Sequence, residues 1–282
     1  MEDWFQVENL RGWFPPTTWH QQQSRVEQNT NNLLDLFDSF DKEIKATFFI
    51  LGWVAQKYPQ LVTEINNRGH EVASHGLNHA MCTQLAPADL ASDLEQSKKL
   101  LEDISGNEVS GYRAPSFSVN DTILLAIQAA GYSYDSSYNN FSQHGRYGRL
   151  STEALTKRGI AYHLENGFCE LPVSNLQLGR RIVPWGGGGY FRFFPSLLFN
   201  AGVRKILDTD KAYLFYLHPW EIDPGQPRSK TIKGPSAWRH YLNLNKTFIR
   251  LTKMIETFGR CSFMTCTQYL THVVNIPNTR GL

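Results

Sequence analysis

The sequence predicts an α/β fold in which a mainly parallel sheet is flanked by helices, open or closed into a barrel. Short apolar runs rich in β-branched and aromatic residues, such as residues 45–52, alternate with amphipathic helical patterns, such as residues 55–69. Several helical patterns stop at a glycine, and no internal repeat or low-complexity linker interrupts the chain. We therefore expect a single domain over residues 1–282, with a C-terminal extension from about residue 220.

The predicted elements follow one another in a regular order. Helical periodicity is expected over residues 31–44, 55–69, 87–106, 119–132 and 239–259. The predicted strands are residues 45–52, 70–75, 108–115, 133–137, 167–174 and 211–220, followed by the sequence CSFMTCT. Two irregular stretches, 138–166 and 179–194, are long enough to shape a substrate cleft.

Composition excludes several classes of function. Hydrophobic residues make up 41% and charged residues 19% of the chain, which is typical of a globular protein with a sizeable core. The net charge is +2 without blocks of like charge, so we expect no nucleic-acid partner. No apolar run is long enough for a membrane span, and the first residues lack a secretory-signal pattern, so a cytoplasmic location is expected. The four cysteines lack CxxC spacing and are expected to be free thiols. Composition leaves the oligomeric state open.

Unusual polar residues follow the predicted strands. His75 comes after EVAS, Arg113 after VSGY, Asp135 after YSY and His218 after YLFYL. In parallel α/β folds the carboxyl ends of the strands form the rim where chemistry takes place. Each residue alone is also compatible with packing or a salt bridge, but four placements on one rim favour a functional site.

The sequence HGLNH places His75 and His79 four residues apart. On a helical turn their Cβ atoms would lie about 5–6 Å apart, close enough to share a zinc ion. An isolated HxxxH is also typical of surface or capping histidines. The glutamate of HExxH is absent, which disfavours a zincin-type protease. A carboxylate ligand must come from elsewhere, and Glu2 and Asp3 are candidates.

Several longer stretches resemble the successive motifs of NodB-type polysaccharide deacetylases. They are residues 46–79, GYRAPSFS, YSYDSS, GGGGYFRFFP and FYLHPWEIDP. The resemblance covers residues 2–260 and is closest to the branch associated with bacterial exopolysaccharide export loci. It implies a distorted (β/α) barrel, a divalent metal that is usually zinc (cobalt being possible), and removal of N-acetyl groups from a sugar polymer.

The resemblance also implies roles for individual residues. The metal ligands would be His75, His79 and either Glu2 or Asp3. Arg113 would orient the catalytic base, the backbone N–H of Ser116 would hold the oxyanion, and His218 would be the general acid, tuned by Asp135. Independently of the resemblance, the sequence WGGGGYFRFFP is expected to form a flexible loop at the border of the cleft. Trp185 and Tyr190 in this loop are candidates for stacking on sugar rings, and plain packing of the loop is an equal alternative. Trp220 is a candidate wall of the acetyl pocket.

The chain departs from the family pattern at its start. Relatives carry a strand leading into an acidic string like DVED, whose first aspartate is the general base, whereas this sequence starts with Met1, Glu2 and Asp3. We therefore expect the first strand to be truncated, the base to be missing and the neighbouring strand to expose an edge.

These observations predict a metal-dependent N-deacetylase acting on an N-acetylated polysaccharide in exopolysaccharide synthesis. Two alternatives stay open. One is a catalytically inactive homologue that binds glycan or metal without its base. The other is a hydrolase of the same fold that acts on a small non-sugar amide, which the many aromatic residues disfavour.

Overall fold

A computed structural model describes residues 1–141, 147–164, 167–229 and 231–273. The strands are β1 Thr47–Ile50, β2 Glu71–Ser74, β3 Gly111–Tyr112, β4 Tyr134–Asp135, β5 Thr156–Arg158, β6 Ala161–His163, β7 Cys169–Glu170, β8 Asn175–Leu178 and β9 Arg181–Pro184. Seven of them form the main sheet in the order β1-β2-β3-β4-β7-β6-β5. The pairings along the sheet from β1 through β4 to β7 are parallel, and β6 and β5 add antiparallel strands at the far edge. Strands β8 and β9 form a separate hairpin.

The helices connect these strands in the predicted α/β alternation. They are α1 Val26–Asp38, α2 Gly52–Lys57, α3 Pro59–Asn67, α4 Pro87–Ser105, α5 Asp121–Ala129, α6 Gly188–Phe193, α7 Ser196–Asp210, α8 Gly234–Tyr241, α9 Leu244–Thr257 and the short α10 Cys266–Gln268. Helix α4 ends at Gly106, which adopts the left-handed conformation. No helix among the described residues is long and apolar enough to cross a bilayer.

Two predicted helices are each divided in the structure. The helix expected over residues 55–69 is interrupted before Pro59, whose ring disfavours helical geometry at the preceding residue. The helix expected over residues 239–259 is interrupted at Asn243, which has a φ of 52°. Since asparagine tolerates the left-handed region better than most residues, the break forms there.

Two predicted strands form only single bridges. Within residues 211–220, Tyr216 bridges Gly187, and in the segment CSFMTCT, Phe263 bridges Ile44. Both bridges are parallel, and neither segment is a strand of the seven-stranded sheet. The sequence pattern located these segments correctly. A local pattern does not determine how many backbone hydrogen bonds a segment forms with a neighbouring strand.

Strand β1 lies at an edge of the sheet, and Met1 lies against that edge. The Met1 ammonium donates to the Phe49 carbonyl, and the Leu51 N–H donates to the Met1 carbonyl at 3.2 Å. A cavity of about 730 Å³ continues along the same edge and is bordered on its other side by residues 213–217. Its walls there are largely apolar, for example Phe48 and Phe215.

Parallel pairing determines where the site forms. Residues of β1 pair in register with β2, from Thr47 opposite Glu71 to Ile50 opposite Ser74. Tyr112 pairs with both Ser74 and Asp135. The carboxyl ends of β2, β3 and β4 therefore meet at one rim, as the sequence predicted.

Candidate metal and catalytic site

Glu2, His75 and His79 form a buried cluster at this rim. One potential ligand atom from each lies within 4.8 Å of those of the other two. Oε2 of Glu2 lies 2.5 Å from Nε2 of His79, and the two imidazole centroids are 5.2 Å apart. The two histidines lie close together, as the sequence predicted.

A loop, and not the expected helical turn, brings the two histidines together. Gly76 has a φ of 71° and His79 a φ of 56°. A Cβ on Gly76 would lie 2.8 Å from Oδ2 of Asp93, whose carboxylate accepts from the Leu77 N–H. The His75 N–H donates to the Ile50 carbonyl at 2.9 Å and so continues the ladder beyond β2. These bonds fix the loop that carries both imidazoles.

The environments of His75 and Glu2 fit a divalent cation. Nδ1 of His75 lies 2.6 Å from the Arg113 carbonyl, so it carries the proton and leaves the lone pair on Nε2. Burial, the amino terminus and His79 hold the pKa of His75 well below 6.5. Burial alone would raise the pKa of Glu2, but His79, His218 and His75 lower it. Two imidazoles and an anionic carboxylate form a donor set typical of catalytic zinc, with room for a further ligand.

Asp3 does not join this cluster. Its Oδ2 accepts from the N–H groups of Arg25 at 2.8 Å and Val26 at 3.2 Å, and from the Ser24 hydroxyl at 2.5 Å. Helix α1 has no capping side chain of its own, so Asp3 caps it from a distance. Of the two acidic candidates, only Glu2 is in position to bind a metal.

His218 faces the cluster from the other side of the cavity. Its Nε2 lies 3.6 Å from Oε1 of Glu2, and its side chain is 31% exposed. The Trp220 ring stacks beside the imidazole at 5.7 Å between centroids. His218 is therefore placed to transfer a proton to or from a molecule bound at the cluster.

Asp135 is not the carboxylate that contacts His218, which corrects the prediction. It is fully buried, accepts from the Ser137 hydroxyl at 2.6 Å and shares a hydrogen bond with Glu170. Burial raises the pKa of Asp135 and holds that of Glu170 well above 4.5. Ser137 in turn accepts from the Ala114 N–H at 2.7 Å. Asp135 thus supports the segment that follows β3.

Glu221 is the carboxylate that contacts His218, a role that was not predicted from the sequence. Its Oε1 lies 2.9 Å from Nδ1 of His218, and its Oε2 lies 2.7 Å from Nε of Arg192. Burial alone would raise the pKa of Glu221, but Arg192 and His218 lower it from 4.5 to about 2. The signal in the sequence was the three-residue spacing in HPWE, which allows Glu221 to reach back to His218.

Arg113 and Ser116 lie on the segment after β3. The Arg113 guanidinium is buried, donates to the carbonyl and hydroxyl of Ser136 at 2.7 and 2.6 Å, and lies 4.1 Å above the Phe49 ring. It contacts no carboxylate in the described part of the chain. Ser116 lines the cavity with a φ of 56°. Within the described residues its N–H has no hydrogen-bond partner, as expected of a donor available to a ligand.

The three aromatic candidates differ in position. Trp185 is 3% exposed, lies parallel to Phe199 at 5.5 Å and belongs to a hydrophobic core, so it is not available to a sugar. Tyr190 and Trp220 both line the cavity. Trp220 is held between His218 and His240, with 4.4 Å between the centroids of Trp220 and His240. The prediction was wrong for Trp185, whereas the substrate contacts of Tyr190 and Trp220 stay predictions.

The glycine run before Tyr190 is a packed segment and not the flexible loop that was expected. A Cβ on Gly187 would lie 2.4 Å from the Tyr216 hydroxyl, and one on Gly188 would lie 2.3 Å from Oε1 of Glu221. The Gly188 N–H donates to the Tyr216 carbonyl at 2.9 Å. Glycine is needed because backbone and side chains approach so closely here.

Comparison with known proteins identifies related sequences and folds. Residues 18–134 match the family model described as polysaccharide deacetylase, and residues 136–271 match one described as a domain of unknown function, DUF3473. A peptidoglycan-N-acetylglucosamine deacetylase of Bacillus cereus is 32% identical over 103 residues, which are 36% of this chain and 47% of that protein. A chitin deacetylase of Pestalotiopsis sp is 35% identical over 106 residues, 36% of this chain and 35% of that protein. The match thus spans about a third to a half of these relatives.

Solved structures confirm the fold. A polysaccharide deacetylase candidate from Mycobacterium smegmatis superposes with a TM-score of 0.61 at 19% identity, covering 98% of this chain and 91% of that one. An allantoinase superposes with a TM-score of 0.53 at 16% identity, covering 86% and 73%. A CE4 family pseudoenzyme from Bacillus anthracis gives 0.50 at 13% identity, covering 88% and 62%.

Proposed function

Residues 18–134 match the polysaccharide deacetylase family model, and from this premise we propose that the chain is a NodB-type polysaccharide deacetylase that hydrolyses N-acetyl groups of an acetylated polysaccharide with a divalent metal, for which zinc is the first choice. One observation carries the proposal. A buried cluster of one carboxylate and two imidazoles faces a third imidazole, His218, at 3.6 Å in one cavity. Metal ligands opposite a proton donor are what hydrolysis of an unactivated amide requires.

The residues divide the reaction between them. Glu2, His75 and His79 would hold the ion, which when bound supplies Lewis acidity toward the acetyl carbonyl and acidifies water. The N–H of Ser116 donates to the carbonyl oxygen as negative charge develops on it. His218 donates a proton from Nε2 to the amine nitrogen as the C–N bond breaks. Water supplies the oxygen of the acetate, and the sugar leaves with a free amine.

The cavity supports a sugar substrate. Tyr190 lines the cavity, whereas the faces of Trp220 are stacked on His218 and His240. An aromatic face such as that of Tyr190 packs well against the apolar face of a pyranose ring, which favours a sugar over a small amide. We place the reaction in exopolysaccharide synthesis, on the pattern of motifs in the sequence. Both matched segments contribute to one site, the histidine pair from residues 18–134 and His218 from residues 136–271, and Glu2 joins them from the stretch before the first segment, in keeping with a single domain.

The test is acetate release from N-acetylglucosamine oligomers by the purified chain with zinc or cobalt added. We expect release that requires the metal and is lost in His75→Ala. Asp3→Asn is the matched control, since Asp3 caps helix α1 and does not enter the cluster. Release that persists in His75→Ala would contradict the proposal.

Non-hydrolytic glycan binding is the second candidate function, and one observation favours it. Among the described residues, the carboxylates near the rim other than Glu2 are held by protein groups: Asp3 by helix α1, Asp135 by Glu170 and Ser137, and Glu221 by Arg192. None of them is free to act as a general base. A metal-loaded chain that binds chitin oligomers but releases no acetate would establish this alternative.

A further inference from the structure

We propose that Glu221 is the residue that positions the His218 imidazole, and that Arg192 and Gly188 hold the Glu221 carboxylate in place. The inference rests on the proposed function, because it assigns how that reaction's proton donor is oriented. Glu221 accepts at Oε1 from both the N–H and Nδ1 of His218, at 3.1 and 2.9 Å. Since a carboxylate only accepts, Nδ1 must carry a proton, and Nε2 is the nitrogen that faces the cavity.

The second oxygen of Glu221 is fixed by Arg192. Both side chains are about 2% exposed, and the Nε–Oε2 distance is 2.7 Å. The guanidinium also donates to the carbonyls of His240 at 3.0 Å and Leu242 at 2.8 Å. A buried arginine held by these three hydrogen bonds cannot swing away without leaving polar groups unpaired. The junction between α8 and α9 is thereby tied to the orientation of His218.

Gly188 closes the third side of the carboxylate. A Cβ at this position would lie 2.3 Å from Oε1 and 2.6 Å from both Cδ and Oε2 of Glu221. A methyl group there must therefore displace the carboxylate that Arg192 and His218 share. At the next position, Gly189, a Cβ would meet no atom within 4 Å. The two glycines form a matched pair for testing the contact without altering a polar group.

Stacking completes the orientation of the imidazole. Trp220 lies 19° from the plane of His218, and His240 lies on the other face of Trp220 at 14°. Ring rotation of His218 would break both the stack and the Nδ1 bond to Glu221. The imidazole therefore has one supported orientation, with Nε2 toward Glu2 at 3.6 Å. Asp135, bound to Ser137 and Glu170, contributes nothing to it.

The kinetic test measures kcat and KM for acetate release by the zinc-loaded chain. Glu221→Ala and Gly188→Ala are expected to lower kcat about 100-fold, at the lower end of what positioned proton transfer contributes, with KM changed less than about 2-fold. Gly189→Ala should keep the wild-type kcat. In a His218→Ala background, Glu221→Ala should cause no further loss, because it acts only through that imidazole. A full additional loss in that background would overturn the proposal.

A second readout does not depend on activity. In the zinc-loaded chain labelled with ¹⁵N-histidine, the His218 imidazole should show a proton on Nδ1 in long-range NMR correlations. That signature should be lost in Glu221→Ala and Gly188→Ala and kept in Gly189→Ala. An unchanged signature in Glu221→Ala would overturn the positioning role. Absence of acetate release with this signature present would instead contradict only the proposed function.

Discussion

The two sides of the site are built differently. On the metal side, His75 and His79 lie within one short loop after β2, and only Glu2 comes from elsewhere in the chain. On the acid side, His218 depends on Glu221, and Glu221 depends on Arg192, which in turn is held by carbonyls at the α8–α9 junction. The metal side is therefore local in sequence, whereas the acid side requires the folded C-terminal half.

This difference explains why the sequence predicted one side better than the other. Strand-end placement and a four-residue spacing were enough to locate the histidine pair. The choice between Glu2 and Asp3 was open because neighbouring residues can point in opposite directions. Asp135 was assigned to His218 from family resemblance, but the structure shows that a residue three positions from His218 makes the contact. Backbone pairing and close packing determine which of these carboxylates reaches the site, and a local sequence pattern gives no information on either.

The largest expected effect is a difference in zinc affinity between variants of the two neighbouring acids, Glu2 and Asp3. Glu2→Gln replaces an anionic ligand of the cluster by a neutral one. We expect zinc affinity to fall more than about 100-fold, which exceeds the usual loss on changing a residue that only hydrogen-bonds to a metal ligand. Asp3→Asn should leave zinc affinity within about 2-fold, since Asp3 binds helix α1. Calorimetric titration of the two variants with zinc measures both. Equal losses would show that the cluster does not distinguish these residues.

The next effect concerns the two aromatic residues that were expected to bind sugar. Trp185→Ala should lower the free energy of unfolding by about 3–5 kcal/mol, because the buried ring packs on Phe199 and on the bare Cα of Gly202. Tyr190→Ala, which alters a cavity wall, should cost less stability and raise KM. Urea denaturation and acetate release together make the comparison. A raised KM with unchanged stability for Trp185→Ala would place that ring in the cleft after all.

A pH-dependent effect should appear at the buried Asp135–Glu170 pair. Burial, and then Asp135, hold the pKa of Glu170 well above 4.5, so the folded chain keeps a proton that the unfolded chain releases. Because the unfolded state binds fewer protons above pH 4.5, stability falls as pH rises toward the folded pKa, by up to about 1.4 kcal/mol per pH unit. Glu170→Gln mimics the neutral form and should remove this loss.

Urea denaturation of wild type and Glu170→Gln at pH 4.5 and pH 7.5 measures the effect. The stability difference between them should widen toward pH 7.5 in favour of the variant. A difference independent of pH would mean that Glu170 does not hold a proton in the folded chain.

The smallest effect is the loss of the distant cap on helix α1. Asp3→Asn keeps one acceptor oxygen but removes the negative charge at the helix amino terminus, so we expect a cost of about 1 kcal/mol. Thermal denaturation at neutral pH should detect it. Destabilisation of several kcal/mol would indicate that Asp3 does more than cap the helix.

Much of the fold followed from sequence, and its failures have physical causes. The strands β1, β2, β3 and β4 and helices α4 and α5 lie where periodicity placed them. Pro59 and Asn243 split helices whose apolar pattern was continuous, because backbone restrictions outweigh periodicity. Trp185 was read as exposed because it adjoins a glycine run, yet those glycines permit tight packing. Composition near a residue does not reveal its burial.

The metal side and the acid side are proposed to serve one reaction. The most direct test measures bound zinc and acetate release in the same samples of wild type and His218→Ala, with N-acetylglucosamine oligomers as substrate. We predict about one zinc per chain in both, with acetate release in the wild type and a loss of about 100-fold or more in the variant. Zinc-loaded His218→Ala releasing acetate at the wild-type rate, or zinc-loaded wild type releasing none, would contradict the account.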